Sequence, residues 1–253
     1  MFPDKRRVAL LALIRQRGAA KISELSETLN VSEVTIRRDL QKLKKQRYIR
    51  RAHGGVFSVD VIKRELSFDE RIIRNSPQKK RIGKKAASLI QESDTIFIST
   101  GTTTMQIVQN IDEEKNLVVC TNCVMTGYEM SKLPNVCLVM LGGELRRPSY
   151  ALVGSKAMEG LNRMAIDKFF LGVEGISRKH GITIASEFEA EICRKIIALS
   201  KTIIVGADST KFGKVVLAKI SDLDKIDVLI TDSQVKSEYI NSLKGLGIKL
   251  III

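Results

Sequence analysis

Val31-Ser-Glu-Val-Thr-Ile-Arg-Arg-Asp-Leu-Gln-Lys-Leu43 reads as a helix with two unlike faces. Ser32 is placed to cap it and Glu33 to about Lys45 to form it. Ile36, Leu40 and Leu43, spaced by four and three residues, share one side. The other side carries Thr35, Arg38 and Lys42, flanked by Arg37 and Gln41. Upstream, Val8, Leu11 and Ile14 predict a helix from Asp4 to Arg17 that Gly18 stops. Ser23 is expected to cap a second, short helix carrying Leu25 and Leu29, with Asn30 and Val31 making the turn. Downstream, Tyr48-Ile-Arg-Arg-Ala-His-Gly-Gly-Val-Phe57 predicts a β-hairpin, with Arg50, Arg51 and His53 beside a Gly54-Gly55 turn. Helix, short helix, turn, basic helix and hairpin make the winged helix-turn-helix order. In that arrangement the basic helix enters the major groove. There Arg can fork onto guanine, and Ser32 and Thr35 can meet a phosphate or a thymine methyl. The hairpin cations reach phosphates or the minor groove. A solvated face would account for Arg37, Arg38 and Lys42 taken alone; the caps, turn and hairpin arriving in this order favour DNA.

The charge supports the same division. The 253 residues hold 42 Lys plus Arg against 28 Asp plus Glu, a net of +14. Residues 1–60 contribute +8, residues 61–85 contribute +6, and residues 86–253 carry 19 charges of each sign. The whole excess lies in the first third, which points to a polyanionic partner there. No apolar stretch approaches the roughly 20 residues of a membrane-spanning helix, so no membrane partner is expected. Four cysteines are too few for a disulfide framework and fit a reduced, cytoplasmic setting.

Residues 60–85 read as a basic linker, because they are polar and Pro77 opposes one continuous helix. From residue 86 to 253, apolar runs at 95–98, 117–120, 136–141, 169–173, 202–205 and 228–230 alternate with helical stretches such as 106–111, 187–199 and 234–243. That alternation predicts an α/β domain with a mostly parallel sheet and ligands at the carboxyl ends of its strands. The candidate ligand residues lie in the loops leaving those strands. They are Thr100, Gly101, Thr102 and Thr103 at a helix entry, then Asn122, Gly143, Arg146, Arg147, Glu174, Glu187, Asp208 and Lys211. Cations and hydroxyl partners in this mixture suit a phosphorylated polyol or sugar. The alternative is structural: surface arginines, turn glycines and capping threonines.

Thr35-Ile-Arg-Arg-Asp-Leu40 together with Arg51-Ala-His-Gly-Gly55 resembles the N-terminal signature of the DeoR family of bacterial transcriptional regulators. Gln46-Arg47-Tyr48 replaces the Gly and Leu usual there, which reads as a changed turn. The second part resembles the family's effector domain at Gly101-Thr-Thr103, Thr121-Asn122, Gly142-Gly143, Asp167 to Gly175, Glu187, Lys195 and Asp208-Ser-Thr-Lys-Phe-Gly213. Ser99 and Thr100 stand where many members have an acidic residue. The resemblance implies a winged helix-turn-helix over 1–59 and an effector domain similar in fold to ribose-phosphate isomerase over 86–253. It implies a repressor of carbohydrate genes that binds double-stranded operator DNA and responds to a phosphorylated sugar or similar anionic metabolite. A homo-oligomer, dimer or tetramer, is expected, because one recognition helix reads too few base pairs.

An isomerase-like enzyme with an appended DNA-binding module is the alternative, with Glu174, Glu187 or Asp208 as the carboxylate base. Against it, the two histidines, His53 and His180, fall in a hairpin and a turn, and no nucleophile elbow, zinc-protease helix or phosphate loop occurs. Cys120-Thr-Asn-Cys123 has redox spacing, but Cys120 ends an apolar strand. Cys137 and Cys193 also fall in apolar patterns, so buried thiols are expected, with no metal and no cofactor.

Overall fold

The computed structural model describes residues 6–7, 9–10, 13–14, 19–20, 22–45, 49–52, 55–58 and 65–253. They fall into two compact units, Met1–Glu65 and Leu66–Ile253.

In the first unit Arg6, Arg7, Ala9, Leu10, Leu13 and Ile14 are helical. The remainder of the stretch from Asp4 to Gly18 lies outside the described residues, as do Gln46, Arg47, Tyr48, His53 and Gly54. α1 (Ile22–Leu29) begins one residue before Ser23, so Ser23 is inside the helix and does not cap it. Asn30 turns the chain at φ 50°, a backbone that Asn tolerates better than most residues. α2 (Glu33–Lys45) follows. Leu10, Ile14, Leu25, Ile36, Leu40 and Leu43 close a small core. Burying each such side chain is worth about 1.5–3 kcal/mol. Asp39, buried on α2, accepts from Arg6 Nε at 2.6 Å and ties the helices together. β1 (Ala19–Ala20), β2 (Ile49–Ala52) and β3 (Gly55–Ser58) form an antiparallel sheet in the order β1-β3-β2.

The second unit begins earlier than its charge suggests. α3 (Phe68–Ile72) has a capping box between Ser67 and Glu70, and α4 (Ser76–Ala87) starts from Asn75. Pro77 sits in the first turn of α4, where a missing N–H costs nothing. The segment expected to be a linker is therefore folded from residue 66 onward. Phe68, Lys79, Ile82, Gly83, Ala86 and Ala87 are buried, whereas Arg74, Lys80, Arg81, Lys84 and Lys85 face outward.

The seven-stranded sheet comprises β4 (Thr95–Ile98), β5 (Leu117–Thr121), β6 (Val136–Met140), β9 (Ile166–Gly172), β12 (Ser200–Gly206), β14 (Val228–Thr231) and β15 (Lys249–Ile252). Every neighbouring pair is parallel, and the order is β15-β14-β12-β9-β4-β5-β6. Side chains alternate between two cores. Phe97, Phe169, Leu171 and Val205 enter one; Ile96, Ile98, Phe170 and Ile204 enter the other. The first core is roofed by α7 (Ser155–Gly160), α8 (Glu187–Leu199) and α9 (Ser237–Leu243). It also includes β10 (Gly175–Ser177), β11 (Gly181–Ile184) and β13 (Ala218–Ser221), an antiparallel sheet. The second is roofed by α4, α5 (Thr104–Val108) and α6 (Val124–Met130). β7 (Glu144–Arg146) and β8 (Ala151–Val153) form a hairpin. α4 and α5 meet backbone to side chain: a Cβ on Gly83 would stand 2.4 Å from Gln106 Cβ. Among the described residues, no helix is long and apolar enough to cross a membrane.

The connectivity fixes where a ligand can go. From β4 the chain moves outward through β5 to β6, then returns to the other flank of β4 as β9 and moves outward again. The direction reverses between β4 and β9, so the loops leaving these two strands part and open a crevice at their carboxyl ends.

Candidate DNA interface and effector cleft

The outer side of α2 presents Ser32, Arg37, Arg38, Gln41 and Lys42 to solvent, with Thr35 half-buried. Ser32 Oγ lies 3.0 Å from Thr35 Oγ1 and accepts from the Thr35 amide at 3.4 Å, closing the first turn. Arg37 Nη2 donates to Glu33 at 3.0 Å, four residues away. Arg38 has no such partner among the described residues, so its guanidinium is the one available for a base. Val34, 75% exposed in the first turn, is an apolar contact that sequence reading passed over; a thymine methyl would complement it. Arg50 and Arg51 lie on β2, and His53 lies outside the described residues.

The crevice between β4 and β9 is a small cleft open to solvent. Arg71, Thr100 to Thr103, Gly172, Val173, Glu174, Ile184, Glu189 and Lys211 line it. The loop after β4 is braced from below. Ser99 Oγ accepts from the Gly172 amide at 3.0 Å, and Thr104 Oγ1 donates to the Ser99 carbonyl at 2.8 Å. In the first turn of α5 the Met105 amide donates to the Gly101 carbonyl and the Gln106 amide to the Thr103 carbonyl, each at 3.0 Å, so these amides brace the loop.

Two carboxylates and two cations face one another here. Glu189, almost fully buried, accepts from Thr100 Oγ1 at 2.8 Å, Ser149 Oγ at 2.7 Å and Arg146 Nη1 at 3.0 Å. Arg146 is tied to the cleft through Glu189 and also donates to Ser149 Oγ at 3.2 Å. Arg71 Nη1 contacts Glu174 at 3.3 Å and Nη2 donates to the Pro148 carbonyl at 3.3 Å, while its buried Nε has no partner. Lys211 forms no ion pair among the described residues.

Six of the residues anticipated for the effector thus line the cleft: Thr100, Gly101, Thr102, Thr103, Glu174 and Lys211. Others do not. Glu187 is 64% exposed and pairs with Arg194. Ser186 caps α8 by accepting from the Glu189 amide, and that start turns Glu189 inward and Glu187 outward. Arg147 is exposed outside the cleft lining. Asn122 is buried and donates to the Leu152 carbonyl at 3.3 Å. Gly143, at φ 123°, lets the hairpin approach: a Cβ there would stand 2.4 Å from the Val153 carbonyl oxygen. Asp208 accepts from the Thr210 amide at 3.1 Å and from Asn75 Nδ2 at 3.0 Å, pinning the entry of α4. Its other oxygen is buried without a partner.

Arg71 and Glu189 are the residues sequence reading missed. Arg71 lies in the stretch whose charge reads as a linker, and Glu189 is two positions beyond Glu187. Behind the cleft lies Lys79, 4% exposed, whose ammonium donates to the Arg71 carbonyl at 2.5 Å. Burial, with Lys211, Arg71 and Arg74 nearby, pushes its pKa down to about 8 against the opposing pull of Asp208. Burial also raises the thiols of Cys120, to about 11, and of Cys123 and Cys193. Cys120 and Cys123 are therefore protonated, unreactive core groups. Cys137, expected to be buried, is exposed.

The sequence profile of the DeoR C terminal sensor domain matches residues 74–233, and that of the DeoR-like helix-turn-helix domain matches residues 6–61. A protein of Escherichia coli O157:H7 named for repression of the aga operon is 32% identical over 99% of this chain and 94% of its own length. The HTH-type transcriptional repressor GlcR of Bacillus subtilis is 32% identical over 100% of this chain and 97% of its own. Among solved structures, ribose 5-phosphate isomerase A from Methanocaldococcus jannaschii is similar at a TM-score of 0.41, with 14% identity over 55% of each chain. With both profiles and both full-length relatives in agreement, the chain belongs to the DeoR family: it is a helix-turn-helix transcriptional regulator with a sensor domain, not an enzyme.

Proposed function

We propose that the chain is a cytoplasmic repressor of carbohydrate-metabolism genes that binds double-stranded operator DNA and leaves it when a phosphorylated sugar or similar anionic metabolite occupies the cleft. Arg38, Gln41 and Lys42 read bases, Ser32, Thr35 and Arg37 set the position of the helix, and Arg50, Arg51 and His53 hold the backbone. A homo-oligomer, dimer or tetramer, supplies the second recognition helix that specificity requires. The repressor names of the two relatives support the direction of control.

The observation that carries the effector reading is the convergence of Arg71 and Lys211 on the Thr100–Thr103 loop where the sheet reverses direction. A phosphate there draws Arg71 from Glu174, exchanging a long single contact for a charge-assisted fork. Arg71 belongs to α3, which follows the DNA-binding unit directly in the chain. A ligand that repositions Arg71 therefore biases the segment that carries that unit, and linkage makes DNA and effector oppose one another.

The test is a thermal-shift screen of the full chain against phosphorylated sugars and their unphosphorylated counterparts, followed by operator release with each hit. Only phosphorylated compounds should stabilise, by about 2.7 kcal/mol at a hundredfold excess over Kd. Arg71→Gln, Lys211→Ala and Thr102→Val should blunt release while leaving effector-free DNA binding intact. Equal stabilisation by unphosphorylated sugars, or unaltered release in all three variants, would refute this assignment of the cleft.

A further inference from the structure

The inward side of α4 packs on the sensor-domain core, and its outward side covers nothing there. Inward lie Lys79, Ile82, Gly83, Ala86 and Ala87. Outward lie Lys80, Arg81, Lys84 and Lys85, all exposed, and α4 has no acidic residue. None of the four forms an ion pair among the described residues. Arg74, also exposed, precedes the helix, so residues 66–85 hold seven cations against Asp69 and Glu70.

Two ordinary explanations cover only part of this. Cations in a last helical turn complement the helix dipole, which accounts for Lys84 and Lys85. Lys80 and Arg81 lie a turn earlier and gain little from it. Solubility does not require the clustering either, because residues 86–253 are balanced at 19 charges of each sign. Lys80 with Lys84, and Arg81 with Lys85, are like-charged at i,i+4 and repel. One turn apart, they rise about 6 Å along the axis. A short cationic ladder that opposes its own helix favours a ladder of anions.

We propose that the outward face of α4 is a second DNA-contacting surface, which binds the phosphate backbone of duplex DNA without reading sequence. The proposal rests on the DNA-binding reading above and gives the sensor domain its own contact with DNA. α4 begins eleven residues beyond Glu65, the last residue of the first unit. It adds affinity and salt dependence while α2 supplies specificity.

The experiment measures Kd for a duplex of arbitrary sequence at several salt concentrations, using the full chain. One variant combines Lys80→Gln, Arg81→Gln, Lys84→Gln and Lys85→Gln, which keeps helix propensity and disturbs no buried atom. A control removes the same charge elsewhere on the sensor domain with Lys225→Gln, Lys236→Gln, Lys244→Gln and Lys249→Gln. A third carries Arg37→Ala and Arg38→Ala. Each phosphate contact contributes about 0.9 to the slope of log K against log salt, so the α4 variant should lose about 2 to 4 from that slope while the control keeps it. Equal slopes for the α4 variant and the control overturn the proposal. If the α4 variant keeps its slope and the recognition-helix variant loses its own, DNA binding stands and the second surface falls. If no variant alters the slope, both readings fall. Binding to phosphatidylserine vesicles that the α4 variant loses, with DNA binding unchanged, would also overturn the proposal by assigning the face to a membrane.

Discussion

Lys79 ties the titration of one buried group to the stability of the sensor domain. Its pKa falls from the ordinary 10.5 to about 8 on folding, because burial and three neighbouring cations outweigh Asp208. Below about pH 8 the ammonium is charged in both states, and the folded state carries its full desolvation cost. Between about 8 and 10.5 the unfolded chain holds the proton and the folded chain does not, so stability rises with pH. At roughly 1.4 kcal/mol per pH unit, that gap amounts to about 3 kcal/mol. Lys79→Met fills the same space with a flexible apolar side chain and removes the titration. Urea unfolding followed by circular dichroism near pH 7.5 and near pH 10 should show wild type gaining on the variant by about 2 kcal/mol, most of the full gap. The offset at either pH also includes the lost bond to the Arg71 carbonyl, so only the difference between the two pH values is diagnostic. Parallel pH dependences for the two proteins would refute the argument and place Lys79 in contact with water.

Arg38→Ala should reduce operator preference by about 1–3 kcal/mol, measured against random DNA, whereas Arg37→Ala should cost less because Glu33 already engages Arg37. Equal losses on operator and random DNA would make Arg38 a phosphate contact. Glu189→Ala strips a buried carboxylate from Arg146, Thr100 and Ser149 and should cost about 3–5 kcal/mol in thermal unfolding. Glu187→Ala should stay within about 0.5 kcal/mol; similar losses at both positions would contradict the inward turn of Glu189. In the folded protein a thiol reagent followed by mass spectrometry should modify Cys137 first, and rapid labelling at Cys120, Cys123 or Cys193 would contradict their burial.

Much of the architecture is legible in the sequence, because the periodicities are strong. The four-and-three spacing of Ile36, Leu40 and Leu43 locates α2, and the apolar runs locate six of the seven parallel strands. α8 has the expected limits, Glu187–Leu199. β15 escapes although Leu250 to Ile253 is a continuous apolar run, because no helical stretch after it marks a further strand-helix unit. β10, β11 and β13 are each three or four residues long, shorter than a pattern needs. Residues 66–85 mislead for another reason. Their charge occupies the side of α4 away from the core, and Pro77 fits a first turn as readily as a loop. The same misreading hid Arg71. Glu187 and Glu189 differ only in where Ser186 starts the helix, a register that composition does not encode.

The absent side chain at Gly83 has a mechanical meaning. With Gln106 seated where a Cβ would be, α4 and the helix leaving the Thr100–Thr103 loop have no room to slide past one another. The position of α4 is therefore tied by direct contact to that of the helix leaving the Thr100–Thr103 loop. A single added methyl at residue 83 would wedge the two helices apart, and the displacement would reach the Thr100–Thr103 loop through Gln106.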